Sequence, residues 1–210
     1  MKKYNLTEPF DVSLTPPLEE NVPTMSHQPP EPLRGIEVEE NRIFFYCPVS
    51  HFEALELNRL IRRLDVEMQY LSSRLDCKPV PIHLHIHSPG GSIFAGLSIY
   101  DTIKNSKTAV HTYVDGSAAS AATIISIAGK KRFIGKNGFM LVHQQQLEWS
   151  GKLDDFMDEI ENQRELTEIM KNIYLQETKM DAEFLEELLA RELWLPSERC
   201  LELGLVDTVQ

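Results

Sequence analysis

The spacing of apolar residues changes period repeatedly along the chain, and each change marks an element. Residues 42–47, Arg-Ile-Phe-Phe-Tyr-Cys, are a short apolar run of strand length. From 51 to 75, Phe52, Leu55, Leu60, Leu64, Met68, Leu71 and Leu75 recur at helical spacing and predict one long helix with these residues as its apolar face. Residues 82–87 alternate strictly, so Ile82, Leu84 and Ile86 point one way from a strand and His83, His85 and His87 the other. Helical spacing returns at Ile93, Leu97, Ile99 and Ile103, and residues 109–114 read as another strand. An Ala/Ile-rich helix is expected over 121–128. A strand pair follows within 129–143, with 139–142 as its inner member. Residues 153–177 predict a long charged helix through Leu153, Phe156, Ile160, Leu166, Ile169 and Ile173, and 181–190 a short one. Near the end, Pro196-Ser197 reads as a helix start, Gly204 as its stop, and a last short strand closes the pattern. Short strands alternating with helices argue for a layered α/β fold.

The first 35 residues break this pattern. They hold seven of the twelve prolines and support neither a regular helix nor a central strand. We read 1–35 as a proline-rich extended or flexible arm and 36–210 as the folded domain. The formal charge of −11, without any Lys/Arg-rich stretch, argues against a nucleic-acid partner. Apolar runs are too short to span a bilayer, and no apolar stretch follows Lys2 and Lys3 to make a secretory signal. Cys47, Cys77 and Cys200 are sparse, odd in number and far apart, as in a reducing compartment. A cytoplasmic location is expected; an organelle after removal of a transit peptide fits as well.

Two turns rich in small residues stand at strand-to-helix junctions. In Ser88-Pro89-Gly90-Gly91, proline presets one torsion and the glycines open torsions closed to other residues. Backbone N–H groups there can bind a developing anion, and the helix that starts next adds its dipole. A plain tight turn would have the same sequence. In Gly116-Ser117-Ala118-Ala119-Ser120-Ala121-Ala122, Ser120 falls at the first turn of a helix. It could cap that helix. It could also be a nucleophile, with the Ala121 N–H joining that of Gly91 to hold an oxyanion.

A nucleophilic serine needs a base. Among seven histidines, His27 lies in the arm and His51 near a helix start, while His111 sits in an alternating strand. His83, His85 and His87 share a strand face, where metal ligation and an ordinary polar sheet face both fit. His143 follows the apolar run 139–142 and precedes Gln144-Gln145-Gln146, a place that suits a catalytic histidine or a surface one. Spacing alone does not choose an orienting carboxylate from 32 acidic residues.

Three stretches in order, HIHSPGGSIFAGLSIYDTI, VDGSAASAATIISIAGKKRFIGKNGFMLVHQ and WLPSERCLELGLVDTV, resemble the proteolytic subunits of caseinolytic (Clp) protease, the ClpP family. The resemblance runs from about residue 42 to 209. It implies a crotonase-like α/β fold of layered sheets and helices, built from repeated β-β-α units. It also implies a serine endopeptidase that cuts unfolded polypeptides inside a chamber of stacked seven-membered rings, fed by an AAA+ unfoldase. Ser120 would be the nucleophile, His143 the base, and the N–H groups of Gly91 and Ala121 the oxyanion donors. The 153–177 helix would be the handle that meets the opposite ring. No metal or organic cofactor is needed, and no GxxxxGK[ST] loop occurs in the chain.

Departures from the family pattern are specific. The orienting aspartate falls on Glu192, which has the same charge and about 1.5 Å more reach. Gln145 replaces a proline, and Leu147-Glu148 replace the glycine-rich start of the substrate-binding strand, while Gly151 is kept. Arg191 matches a ring-contact arginine, with Ala190 in place of the acidic residue before it. The arm matches no axial loop, and the 51–75 helix region carries an insertion around Met68–Lys78. A ring subunit without catalysis is the alternative. A crotonase-type hydratase or lyase acting on acyl thioesters is a further one, for which the sequence offers no adenine or pantetheine site.

Overall fold

The structure is a computed structural model that describes residues 35–145 and 151–210. The arm up to residue 34 and the substituted pair Leu147-Glu148 lie outside the described residues. The chain opens on a hairpin, β1 (Ile36–Glu39) and β2 (Arg42–Phe45), followed by α1 (His51–Leu75). Next come β3 (Ile82–Ser88), α2 (Ile93–Lys104), β4 (Val110–Ala119) and α3 (Ala121–Ile127). The second half holds β5 (Lys131–Ile134), β6 (Phe139–Leu141), α4 (Leu153–Glu177) and α5 (Ala182–Leu189). It ends on β7 (Trp194–Pro196), α6 (Ser197–Glu202) and β8 (Thr208–Val209).

The strands form one sheet in the order β1-β2-β3-β4-β5-β8, with β6 on β4 and β7 on β6. All pairs are parallel except β1–β2 and β6–β7. β4 is the organising strand. Its first half, His111–Val114, pairs with β5, and its second half, Ser117–Ala119, pairs with β6. The expected strand pair within 129–143 is therefore two strands laid along one neighbour and not bonded to each other. Between the two halves Gly116 takes φ 91, and a Cβ there would meet His87 Nδ1 at 2.9 Å.

The alternation of β3 does what the pattern predicts. Ile82, Leu84 and Ile86 are fully buried. Each such side chain contributes roughly 1.5–3 kcal/mol of transfer free energy. They belong to one core with Leu57, Ile61 and Leu64 of α1, Ile99 of α2 and Ile124 and Ile125 of α3. All seven residues of α3 are buried, so this helix is apolar all round.

The expected face of α1 needs correction. Its buried side is Ala54, Leu57, Asn58, Leu60, Ile61, Leu64 and Met68. Phe52 and Leu55 are exposed, and at 3.6 residues per turn they fall on the opposite side, in line with exposed Val66 and Tyr70. Leu71 and Leu75 continue the buried stripe but are exposed at the end of the helix. Helix α4 has its predicted bounds. Its buried residues, Leu166, Met170, Ile173 and Tyr174, all lie in its second half, while Leu153 and Met157 in the first half are exposed.

Candidate active site

Ser120 sits where β4 turns into α3, with φ 53 and ψ −127. An L-residue held there costs about 1–3 kcal/mol and persists only when its surroundings fix it. Three hydrogen bonds do so. The Ser120 N–H donates to Leu141 O at 2.9 Å, and Ser120 O accepts from Thr123 N at 2.9 Å and from Thr123 Oγ1 at 2.6 Å. The serine hydroxyl does not cap α3. A sharp turn that leaves the hydroxyl out of the helix is the geometry of a nucleophile at a strand-to-helix elbow.

The glycine turn after β3 lies against this elbow. A Cβ on Gly90, where φ is 86, would strike the Ala119 carbonyl oxygen and approach Ser120 Cβ to 2.7 Å. Gly91 takes φ 145 beside Val49. Val49 N donates to Gly90 O and Ser92 N to Val49 O, both at 2.8 Å, so the turn is pinned on each side of Gly91. Among the described residues, no acceptor in the chain takes the N–H of Gly91 or of Ala121. Two fixed donors with no acceptor among the described residues thus flank the serine.

His143 follows β6 by two residues. The N–H of the next residue, Gln144, donates to Leu189 O at 2.9 Å and anchors the segment to α5. The His143 side chain is 13% exposed and its Nδ1 lies 3.2 Å from Glu192 Oε1. The register explains this contact. β6 and β7 are antiparallel with Leu141 opposite Trp194. Continuing that count two residues past β6 puts His143 opposite Glu192. A bond from Nδ1 to a carboxylate leaves Nε2 as the nitrogen that can accept a proton.

Ser120 and His143 line one cleft of about 440 Å³ together with Gly91, Ser92, Ile93, Gln145 and Gln163. Among the described residues, its lining carries no ionisable side chain apart from His143. Gln145 Nε2 reaches Met170 Sδ at 3.0 Å, which ties the cleft wall to α4. The expected candidates Ser120, His143, Glu192, Gly91 and Ala121 are therefore brought together at one place. A cleft of similar size between α1 and α2, lined by Arg62, Asp65, Phe94 and Thr102, holds no serine–histidine pair.

His83, His85 and His87 of β3 and His111 of β4 lie on the face of the sheet opposite the core. Phe44, His85, Tyr113 and Phe133 stack in a row with ring centroids 4.6–4.9 Å apart. His85 Nδ1 and Tyr46 Oη both contact Asp115 Oδ2 at 2.7 Å, and His83 Nδ1 meets Tyr113 Oη at 2.8 Å. Desolvation, then neighbouring His111, His85 and Arg42, lower the His83 pKa. Among the described residues no group of three or more His, Cys, Asp or Glu is disposed to hold a metal ion. Burial pushes the Cys47 and Cys200 thiols up to about 12, which makes them poor nucleophiles.

This fold and this site define a recognisable class. The Clp protease family model matches residues 38–210, and the chain belongs to that family. A solved structure of a point mutant of ClpP1 from Listeria monocytogenes superposes with a TM-score of 0.67 at 23% sequence identity, covering 79% of this chain and 88% of that one. The chain is thus a ClpP-like member of the peptidase family with the mixed α/β fold that the resemblance implied.

Two structural residues escaped the sequence reading. Thr123 and Tyr174 join β4, α3 and α4 at the elbow, and both look like ordinary helix interior in sequence. β7 was also missed, because three residues ending in proline carry too little periodicity to read as a strand.

Proposed function

We propose that the chain is a serine endopeptidase subunit in which Ser120 attacks, His143 takes its proton and Glu192 orients the imidazole. The observation that carries this reading is the shared cleft of an uncapped serine at φ 53 and a histidine bonded through Nδ1 to a carboxylate. In the first step, Ser120 Oγ attacks the scissile carbonyl carbon and His143 Nε2 accepts the hydroxyl proton. The carbonyl oxygen becomes an oxyanion and is held by the N–H groups of Gly91 and Ala121. His143 then gives its proton to the leaving amine. Water, activated by the same nitrogen, releases the acyl group from Ser120. No step requires a metal or organic cofactor.

Family membership supports the wider reading. Rings of seven, stacked with the exposed first half of α4 as handle, would enclose these sites. Such a chamber admits unfolded polypeptide delivered by an AAA+ partner. Residues 1–35 would be an arm outside the peptidase domain. The unpaired cysteines suit a reducing compartment, and we assign the protein to the cytoplasm. Among the described residues no helix is long and apolar enough to cross a membrane.

A fluorophosphonate probe should label the assembled protein at Ser120, and Ser120→Ala should abolish both label and peptide cleavage. An assembled wild type that takes no label would overturn the assignment. One observation favours a second reading, that of a weakly catalytic or purely structural ring subunit. The Glu192 side chain is 65% exposed, where water competes for the imidazole bond. Serine-dependent turnover of an unfolded protein would exclude that reading.

A further inference from the structure

We propose that Tyr174 of α4 is a positioning residue for peptide hydrolysis, acting through Thr123 to fix the aim of the Ala121 N–H. The inference rests on the reading of Ser120 as nucleophile. Its physical basis is the planarity of one peptide. The Ser120 carbonyl and the Ala121 N–H belong to the same trans amide and point in opposite directions. Whatever holds the carbonyl therefore sets the direction of the donor.

The carbonyl is held twice, by Thr123 N at 2.9 Å and Thr123 Oγ1 at 2.6 Å. Thr123 Oγ1 in turn meets Tyr174 Oη at 2.5 Å. A threonine hydroxyl has one proton. Since that proton goes to Ser120 O, Tyr174 must donate in the second contact. Burial pushes the Tyr174 hydroxyl up to about 12, so it stays protonated at neutral pH. Thr123 and Tyr174 are both almost wholly buried, and no bulk water can substitute for either.

The chain of bonds acts on a backbone that would not stay in place unaided. Ser120 sits at φ 53, and relaxation of that torsion would swing the Ser120–Ala121 plane. The Thr123 N–H alone permits rotation about its own bond direction; the second donor removes that freedom. An apolar residue would fill the Tyr174 site equally well, lying as it does in the buried run with Met170 and Ile173. The hydroxyl is what packing does not explain. Preorganised donors act chiefly on the charge that develops in the transition state, so the effect should fall on kcat.

The test uses the full-length assembled protein and a fluorogenic peptide. Tyr174→Phe keeps the ring and should lower kcat about tenfold with KM within about twofold. Thr123→Val removes both contacts of the Thr123 hydroxyl, leaving the backbone N–H bond, and should cost on the order of 100-fold, whereas Thr123→Ser should recover most of the rate. The double variant Tyr174→Phe/Thr123→Val should be no worse than Thr123→Val, because the two residues act in series. A peptide boronate, whose adduct carries a tetrahedral oxyanion, should lose affinity in step with kcat/KM. Tyr174→Phe preserves packing, so it reports on the relay even where Thr123→Val fails to assemble. An active wild type with kcat unchanged in Tyr174→Phe and Thr123→Val, or with losses in KM alone, would sink the relay and leave the peptidase reading intact. A wild type without serine-dependent turnover overturns both.

Discussion

Glu192 stands opposite His143 because of the β6–β7 register, and its longer side chain spans what the register leaves open. The contact of 3.2 Å is within hydrogen-bond reach, so the extra methylene relative to aspartate is used and not folded away. Shortening should therefore matter as well as neutralising. Glu192→Gln is expected to lower kcat by about 10- to 100-fold, less than the roughly 10⁴ lost when a buried orienting aspartate is neutralised, because water already reaches this carboxylate. Glu192→Asp should fall between the wild type and Glu192→Gln. Peptide cleavage kinetics on all three proteins check the order, and a Glu192→Gln enzyme as fast as wild type would reduce the proposed triad to a Ser120–His143 dyad. Gly90 makes a harder residue-level demand. Its positive φ and its contact with the Ser120 turn leave no space for a methyl group. Gly90→Ala should lower the melting temperature and abolish Ser120 labelling together, since the atoms in the way are backbone.

At the scale of elements, the end of α4 is tied to α2 and β5 by Glu177. Its carboxylate accepts from Tyr100 Oη at 2.8 Å and Lys104 Nζ at 2.6 Å, and its carbonyl accepts from Arg132. Burial alone would raise the Glu177 pKa, but the bonds from Lys104 and Tyr100, with the charges of Lys104 and Arg132, outweigh it and bring it below the ordinary glutamate value of 4.5. A depressed carboxylate stabilises the fold above its unfolded-state pKa. That stability goes as pH falls through the folded value. The α4–α2 tie should thus be intact at pH 7 and weaken below about pH 4.5, by no more than about 1 kcal/mol given the half-open setting of Lys104. Urea midpoints from pH 7 to 3 should show a shallower acid decline in Glu177→Gln than in wild type; parallel curves would discard the tie. Such ties were not legible in the sequence, because they link residues 73 and 77 positions apart. What the pattern did carry was local. The bounds of α4 and the alternation of β3 follow from periodicity within the element itself. The face of α1 was misread because Phe52 and Leu55 are apolar yet exposed, and periodicity counts apolar residues without asking what covers them. The elbow was legible as Ser120 in a small-residue turn, whereas the partner of His143 depended on a three-residue strand that no local signal announces.

At the scale of the whole molecule, the exposed apolar residues of α1 bear on how copies of the chain meet. Phe52 and Leu55, then Val66 and Tyr70, form an exposed stripe along the side of α1 that faces away from the core, with exposed Arg59 and Arg63 between the two apolar pairs. Under the proposed ring assembly, a second copy of the chain is the occupant to test for this stripe. Each copy also carries a formal charge of −11, so copies repel while their apolar stripes attract. Salt separates the two terms. Raising it from about 0.1 M to about 1 M shortens the Debye length from about 10 Å to about 3 Å and removes most of the repulsion, leaving apolar burial in place. Sedimentation velocity should therefore show assembly that strengthens with salt, with peptide cleavage rising in parallel. Leu55→Asp/Val66→Asp adds charge to the stripe without touching the core, since both side chains are exposed. It should sediment as a smaller species at either salt concentration, keep its melting cooperativity, and lose cleavage along with size. A double variant that assembles and cleaves as wild type would free the stripe of any role between copies. A variant that stays small yet cleaves at full rate would show instead that the Ser120 site is complete within one chain.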